Sequence, residues 1–270
     1  MTRSPVQPWY QAAFGAHYPL LYAHRDEAEA AQCLALLPAL APLGAGPILD
    51  LGCGQGRHLG ILRRQGLAVV GLDLSPDLLR AARRELPSAS LTRADMRRIP
   101  LGERSVSAVL SLFTAFGYFG SVAAHQPVVD DIARVLHPGG HWYLDFLDSD
   151  KVASDLAGTE KVTEREVGPL VIHERRRLAE SPRRVIKSVR IVPATGRDEE
   201  AAAHGVSPAG LDYSEEVTLL SLTELDELAA EAGLRRAAAV GNYDGGDLVP
   251  GTGPRWILVY KKPEDEGTAR

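Results

Sequence analysis

The sequence predicts an α/β fold: a doubly wound, mostly parallel sheet of seven strands with an antiparallel β insertion between the fifth strand and the last helix. Three observations carry that expectation. Short apolar runs alternate with helical periodicity through residue 148, the pattern of parallel strands joined by crossover helices. The first run breaks at a glycine cluster, Gly52-Cys53-Gly54-Gln55-Gly56, directly before a helical stretch. The alternation then stops, and four strand-like runs follow one another between residues 161 and 220, joined by turn signals at Gly168-Pro169 and Ser181-Pro182.

Each element has a local reason. Residues 26–40 place Ala28, Ala31, Leu34 and Leu37 at helical spacing, with Pro38 and Gly44 marking the end. The first strand spans 47–51 and is followed by a helix over 57–65 closed by Gly66. The second spans 67–73, after which Ser75 as N-cap and Pro76 at the first helical position open a helix to residue 86. Strands follow at 89–93, 106–112 and 141–146, the last preceded by a helix over 128–136 and the turn His137-Pro138-Gly139-Gly140. The insertion is built from strands at 161–167, 170–178, 184–192 and 213–220, with the Ala- and Gly-rich stretch 193–210 expected as a mobile loop. Ser221 and Glu224 form a capping box that opens a helix to Ala232, and strands at 234–243 and 256–260 complete the sheet. The expected organisation is an N-terminal helical cap (1–45), a ligand-binding domain (46–149 and 222–262), the insertion (150–221) and a flexible tail (263–270).

Composition narrows the function. With 45% hydrophobic and 24% charged residues in 270, the chain has the means to build a core, and disordered or fibrous classes are excluded. A net charge of -5 gives no overall footprint for nucleic acid, which is not expected as a partner. Cys33 and Cys53 form neither a disulfide framework nor a C-x-x-C pair, so no metal is expected and a reducing cytoplasmic location is. The opening residues MTRSPVQPWY show no apolar h-region and no window approaches 18 uninterrupted apolar residues, so a soluble, unexported protein with no membrane partner is expected.

The glycine turn lies where an open α/β sheet places its ligand, outside the carboxyl ends of the strands. A dinucleotide fingerprint, G-x-G-x-x-G, requires a third glycine where Arg57 stands. Asp50, two residues before the first glycine, would repel a pyrophosphate, whereas a ligand with a cationic end removes that objection. Asp73 ends the second strand, 19 residues after Gly54, where a carboxylate can accept both ribose hydroxyls. Asp95-Met96 follows the third strand, where an acid or its neighbouring amide can read an adenine edge and a thioether can pack on the ring.

The segments ILDLGCGQGRH, VVGLDLS, RADMRRIP and RVLHPGGHWYLDF resemble those of class I S-adenosylmethionine-dependent methyltransferases, over roughly residues 10–148 together with the closing helix and two strands. The segments LFTAFGYF and FGAHYPLLY are similar to a bacterial, largely uncharacterised subgroup acting on small molecules. The resemblance implies a Rossmann-like fold and S-adenosylmethionine as cofactor, converted to S-adenosylhomocysteine. It implies cofactor contact by Asp50, Gly52, Gly54, Asp73, Asp95, Met96 and Leu112, with Cys53 in the turn and Leu74 after the second strand beside them. Arg57, Tyr18 and Tyr22 are candidates for the methionine end.

Methyl transfer needs orientation above all, worth roughly 7–11 kcal/mol, and a base where the nucleophile must lose a proton. Tyr118 and Phe119, with Phe116, are expected to line the acceptor pocket, while Phe113 is expected in the core. Tyr118, Tyr243 and Asp244 are the catalytic candidates, the last two as base, and Asp145 and Arg255 complete the substrate pocket. The sequence around Phe113 is not of the N-P-P-Y type, which disfavours amide and nucleobase acceptors. The expected reaction is methylation of an N or O atom of a small molecule, with the insertion acting as a lid or a homodimer surface. The rival readings are an RNA or protein methyltransferase gripping its partner with Arg175-Arg176-Arg177 and Arg183-Arg184, and a non-catalytic cofactor-binding protein.

Overall fold

The computed structural model describes residues 8–22 and 27–265. Two short helices, α1 (Trp9–Ala13) and α2 (Tyr18–Leu21), precede α3 (Glu27–Leu40). Asp26, the expected start of α3, lies outside the described residues, and Pro38 sits inside the last turn of α3 instead of ending it.

The larger sheet comprises β1 (Ile48–Leu51), β2 (Val69–Asp73), β3 (Ser90–Arg93), β4 (Val106–Ser111), β5 (Leu136–Leu147), β10 (Arg235–Val240) and β11 (Arg255–Lys261), in the order β10-β11-β5-β4-β1-β2-β3. β1 to β5 pair in parallel, and β11 runs antiparallel to β5 and β10. Every residue of β1 and β4 is buried, as strands covered on both faces require. α4 (Arg57–Arg64), α5 (Pro76–Glu85), α6 (Gln126–Val135) and α9 (Leu222–Glu231) supply the crossovers. Residues alternate between two cores along β11: Trp256, Leu258 and Tyr260 pack toward α6 and α9, and Ile257 and Val259 toward α3 and α4. Ser75 caps α5 by accepting from Leu78 N, and Ser221 and Glu224 form the expected capping box on α9.

The expected turn 137–140 is absorbed into β5 as an irregularity, the register jumping from Val106↔Leu136 to Ala108↔His141. Asp148 caps α7 (Ser149–Leu156), a helix that sequence periodicity does not reveal. The second sheet is fully antiparallel, in the order β6 (Lys161–Val167), β7 (Leu170–Glu180), β8 (Arg183–Pro193), β9 (Leu211–Thr218). Its apolar face, with Leu170, Ile172, Val189, Ile191 and Tyr213, packs against Ala13, Leu21 and Tyr22 of the N-terminal segment. The stretch 193–210 departs from the expected loop: it contains α8 (Asp198–Ala203), whose Ala201 is fully buried along with Val206. The start of the expected flexible tail is tied down, with Asp265 ion-paired to Arg104 at 2.6 Å; residues 266–270 lie outside the described residues.

Candidate active site

A cavity of about 330 Å³ opens at the carboxyl ends of β1, β2 and β4, where β1 is flanked by β2 on one side and β4 on the other. This is the switch point at which doubly wound sheets bind ligands. The turn after β1 forms its floor. Gly52 has φ +83°, and a Cβ there would stand 2.8 Å from the Ala115 Cβ, so glycine lets the floor pass beneath the loop that follows β4. Gly54, Cys53 and Arg57 continue the lining. Burial pushes the Cys53 thiol up, with Asp50 and Asp73 adding to the effect, which makes it a packing residue rather than a nucleophile.

Asp73 closes β2 with its two oxygens holding the turn: Oδ2 accepts from Gly54 N and Oδ1 from Ser75 N, each at 2.8 Å. A carboxylate accepts at about four positions, which leaves capacity for a further donor such as a ribose hydroxyl. Leu74, Met96, Leu112 and Asp95 line the same space. Asp95 is paired with Arg97 at 2.6 Å, and that hydrogen bond holds its carboxyl below the usual range. Arg97 in turn lies over the Phe119 ring, 4.9 Å from its centroid.

Asp50 stands behind the floor and is not among the lining residues. It is 2% exposed, and its Oδ2 has no hydrogen-bond partner among the described residues. Burial, with Asp73 adding to it, raises its pKa to about 7. A buried acceptor without a donor carries a desolvation cost, which a cation seated on the turn would offset. That orphaned oxygen, the glycine floor and Asp73 fit a ribonucleoside with a cationic tail.

The opposite wall is aromatic. Tyr10, Phe14, Tyr18 and Tyr22 come from the N-terminal segment, and Phe113, Tyr118 and Phe119 from the loop after β4. Phe14 and Tyr118 lie 5.7 Å apart, Phe14 and Tyr18 5.2 Å, and Tyr18 and Tyr22 4.5 Å between ring centroids. An aromatic face within about 6 Å of a cation favours it by roughly 0.5–2 kcal/mol. Tyr118 donates its phenolic proton to Thr114 O at 2.5 Å, and burial holds its pKa well above the ordinary value, so it serves as wall rather than base. Sequence reasoning assigned no role to Tyr10 or Phe14, although aromatics at 10, 14, 18 and 22 recur every four residues, the signal that could have found them.

The two phenylalanines exchange their expected places. Phe116 is 1% exposed and packs against His125, Trp142 and Phe146 in the core, outside the cavity lining. Phe113 lines the cavity instead. Its backbone and that of Thr114 both have φ +59°, which turns the chain over immediately after β4. Asp145, fully buried, holds this turn, its Oδ2 accepting from Phe113 N at 2.7 Å. Arg255 binds the other oxygen of Asp145 at 2.5 Å, donates to Thr114 Oγ1 at 2.9 Å, and lies 4.8 Å from the Phe113 ring centroid. Burial works against the Arg255 charge, but Asp145 and then Tyr243 outweigh it and leave its pKa raised.

Asp145, Arg255 and Tyr243 therefore form a clamp beneath the loop and lie outside the cavity lining. The Tyr243 hydroxyl donates to Asp145 at 2.6 Å, and burial together with Asp145 raises its pKa, which removes it as a base. Asp244 accepts from Gln32 at the exposed surface, also away from the cavity. Arg57 lines the cavity, ion-paired with Glu29 at 3.1 Å. Four of the five arginines flanking the insertion hairpin are ion-paired: Arg175 with Glu160, Arg176 with Glu174, Arg183 with Asp150 and Arg184 with Glu216. No helix among the described residues is long and apolar enough to cross a membrane.

Comparison with known proteins agrees with this geometry. Residues 48–140, from β1 into β5, match the family described as methyltransferase domain. A dTDP-3-amino-3,4,6-trideoxy-alpha-D-glucopyranose N,N-dimethyltransferase from Streptomyces venezuelae is 37% identical over 134 residues, covering 48% of this chain and 56% of that protein. A dTDP-3-amino-3,6-dideoxy-alpha-D-glucopyranose N,N-dimethyltransferase from Streptomyces fradiae is 38% identical over 112 residues, 42% of this chain and 43% of that one. The chain spans about half the length of the curated relatives it matches. Among solved structures, an S-adenosylmethionine-bound amino pentose methyltransferase from Micromonospora echinaspora superposes with a TM-score of 0.62 at 26% identity, covering 91% of this chain and 96% of that chain. The CcbJ methyltransferase from Streptomyces caelestis, at 18% identity, shares the fold with a TM-score of 0.74 over 94% of this chain and 99% of that chain. Residues 48–140 are thus similar to the methyltransferase-domain family, and the chain has the Rossmann-like fold of S-adenosylmethionine-dependent methyltransferases of known structure.

Proposed function

We propose that the protein is an S-adenosylmethionine-dependent methyltransferase that methylates a nitrogen of a small-molecule amine, of the amino-sugar class named for its relatives. The observation that carries the reading is one cavity with two chemically different walls. A glycine floor backed by Asp50 and Asp73 faces an aromatic wall from Phe14 to Tyr118. Asp73 and Leu74 would hold the ribose end, Met96 and Asp95 the base, and Gly52, Gly54, Arg57 and Tyr18 the methionine end.

S-adenosylmethionine supplies an electrophilic methyl group when bound. The chain's own part is to orient the acceptor and exclude water. Phe14, Tyr18, Tyr118 and Phe119 present polarizable faces to a cationic centre while closing the cavity from solvent. The Asp145–Arg255 clamp keeps Phe113 and the rest of that wall in place. The ion-paired Arg hairpin supports a small acceptor over RNA, since four of its five guanidinium groups already have acidic partners.

The test is methyl transfer read by mass spectrometry on a panel of nucleotide-linked and free amino sugars, each beside its hydroxyl counterpart. Mass gain on the amines alone is expected. Transfer to the hydroxyl partners with none to the amines would overturn the nitrogen acceptor.

A further inference from the structure

Tyr22 lines the cavity at the end of α2, yet its hydroxyl is held from the insertion sheet. Lys187 Nζ of β8 donates to the Tyr22 oxygen, and the Tyr22 hydroxyl donates to Glu215 Oε1 of β9 at 3.2 Å. Lys187 and Glu215 are register partners, with Nζ 2.8 Å from Glu215 Oε2 and 5.1 Å from the Tyr22 ring centroid. These groups sit at the edge of an apolar contact that includes Ile172, Val189 and Ile191. An apolar pair there would join sheet to helix at least as well, because a buried ion pair offsets its own desolvation poorly. The charges call for a reason beyond packing.

We propose that Tyr22, Lys187 and Glu215 form a proton relay that deprotonates the acceptor amine, Tyr22 being the residue that touches it. The proposal rests on the amine reading above. The acceptor ammonium gives a proton to the Tyr22 oxygen while the phenolic proton passes to the Glu215 carboxylate. The nitrogen keeps the electron pair of the broken N–H bond, and that pair is the nucleophile. Lys187 anchors the Tyr22 oxygen from a second side.

Glu215 is the terminus by position, being the carboxylate to which the Tyr22 hydroxyl donates. Glu174 of β7 lies 3.7 Å from Lys187, 3.3 Å from Arg176 and 3.8 Å from Arg165 of β6. Burial works to raise its pKa, but Lys187, Arg176 and Arg165 outweigh it, so Glu174 stays ionised as the counter-charge. Tyr118 and Tyr213 are held protonated by burial, with Glu215 among the charges reinforcing this. Tyr18 stacks beside Tyr22, His17 packs on Tyr213, and Asp73 lines the same cavity as Tyr22. The Glu215 side chain is 18% exposed against 6% for Glu174, which gives the transferred proton a way to solvent.

The test uses the full chain with ring-¹³C tyrosine, as wild type, Tyr22→Phe, Lys187→Met, Glu215→Gln and Glu215→Asp. Tyr22→Phe identifies the Tyr22 resonance, which is expected to move in Lys187→Met and Glu215→Gln with no acceptor present. On an amine acceptor, Glu215→Gln is expected to lower kcat on the order of 100-fold and alter the acid limb of the pH–rate profile, leaving the limb set by the acceptor ammonium itself, while S-adenosylmethionine affinity changes by less than about twofold. Glu215→Asp, which keeps the carboxylate, is expected to restore the wild-type profile. A Tyr22 resonance indifferent to both partners, or amine turnover whose pH profile is unaltered in Glu215→Gln, overturns the relay alone. Wild-type turnover of hydroxyl acceptors and of no amine overturns the amine reading and the relay with it.

Discussion

Replacing Arg255 with methionine tests whether the clamp, rather than the acceptor, is the partner of that side chain. The substitution removes the guanidinium that binds Asp145 Oδ1 at 2.5 Å and Thr114 Oγ1 at 2.9 Å, and leaves a fully buried carboxylate with two neutral donors, Phe113 N and the Tyr243 hydroxyl. Breaking a buried ion pair from one side costs about 3–5 kcal/mol, because the remaining charge stays desolvated. Loss of the cation from the Phe113 face, 4.8 Å away, is a smaller addition within that range. At roughly 2–4 °C per kcal/mol for a chain of this size, Tm is expected to fall by about 6–20 °C. Urea denaturation with an unchanged m-value measures the free energy directly. The double variant Arg255→Met with Asp145→Asn, which removes both charges and keeps an acceptor for Phe113 N, is expected to recover more than half of the loss. A single-variant loss below about 1 kcal/mol, or a double variant no better than the single, would refute the buried-clamp reasoning.

Two further outcomes follow from the floor of the cavity. With its pKa raised to about 7, Asp50 is protonated below that pH in the ligand-free protein, and a cation on the turn favours the ionised form. S-adenosylmethionine affinity is therefore expected to rise with pH up to about 7, by at most about tenfold per unit, and to level off above it, with proton release seen by calorimetry in buffers of different ionisation enthalpy. The stability of the ligand-free chain runs the other way: an acid whose folded pKa exceeds its unfolded value of about 3.9 binds more protons when folded, so this contribution weakens as pH rises from about 4 through 7. Flat affinity from about pH 5.5 to 8 would remove Asp50 from the account. Gly52→Ala and Gly66→Ala both force alanine into a left-handed backbone, φ +83° and +81°, at about 1–2 kcal/mol each. An added Cβ meets Ala115 at 2.8 Å in the first and nothing within 4 Å in the second, so Gly52→Ala alone is expected to impair ligand binding in calorimetric titration.

The parallel sheet is legible in the sequence because its signals are local. The apolar run Ile48–Leu51 stops at glycines, Ser75 and Pro76 open α5, and the Ser221–Glu224 capping box opens α9. The floor and ribose positions follow from strand ends in the same way, since sheet topology alone delivers Gly52, Gly54 and Asp73 to one edge. The acceptor side depends on what no pattern records. Two successive non-glycine residues with φ +59° after β4 decide that Phe113 faces the cavity and Phe116 the core. Asp145, Tyr243 and Arg255 do reach the ligand-bearing edge, but their mutual distances turn them into a clamp. Helices of five and four residues, α1 and α2, are too short to show periodicity, and the Lys187–Glu215 pair gains meaning only once the insertion sheet is set against Tyr22.

If the cavity over the glycine turn holds S-adenosylmethionine with Asp73 as its ribose acceptor, that carboxylate decides which nucleoside ligand binds. Calorimetric titration of the wild type and of Asp73→Ala with S-adenosylmethionine, S-adenosylhomocysteine and NADH measures this. Micromolar binding of the two adenosyl ligands by the wild type, lost in Asp73→Ala, is the expected result. Binding of NADH in their place, or adenosyl binding that survives Asp73→Ala unchanged, would contradict the account.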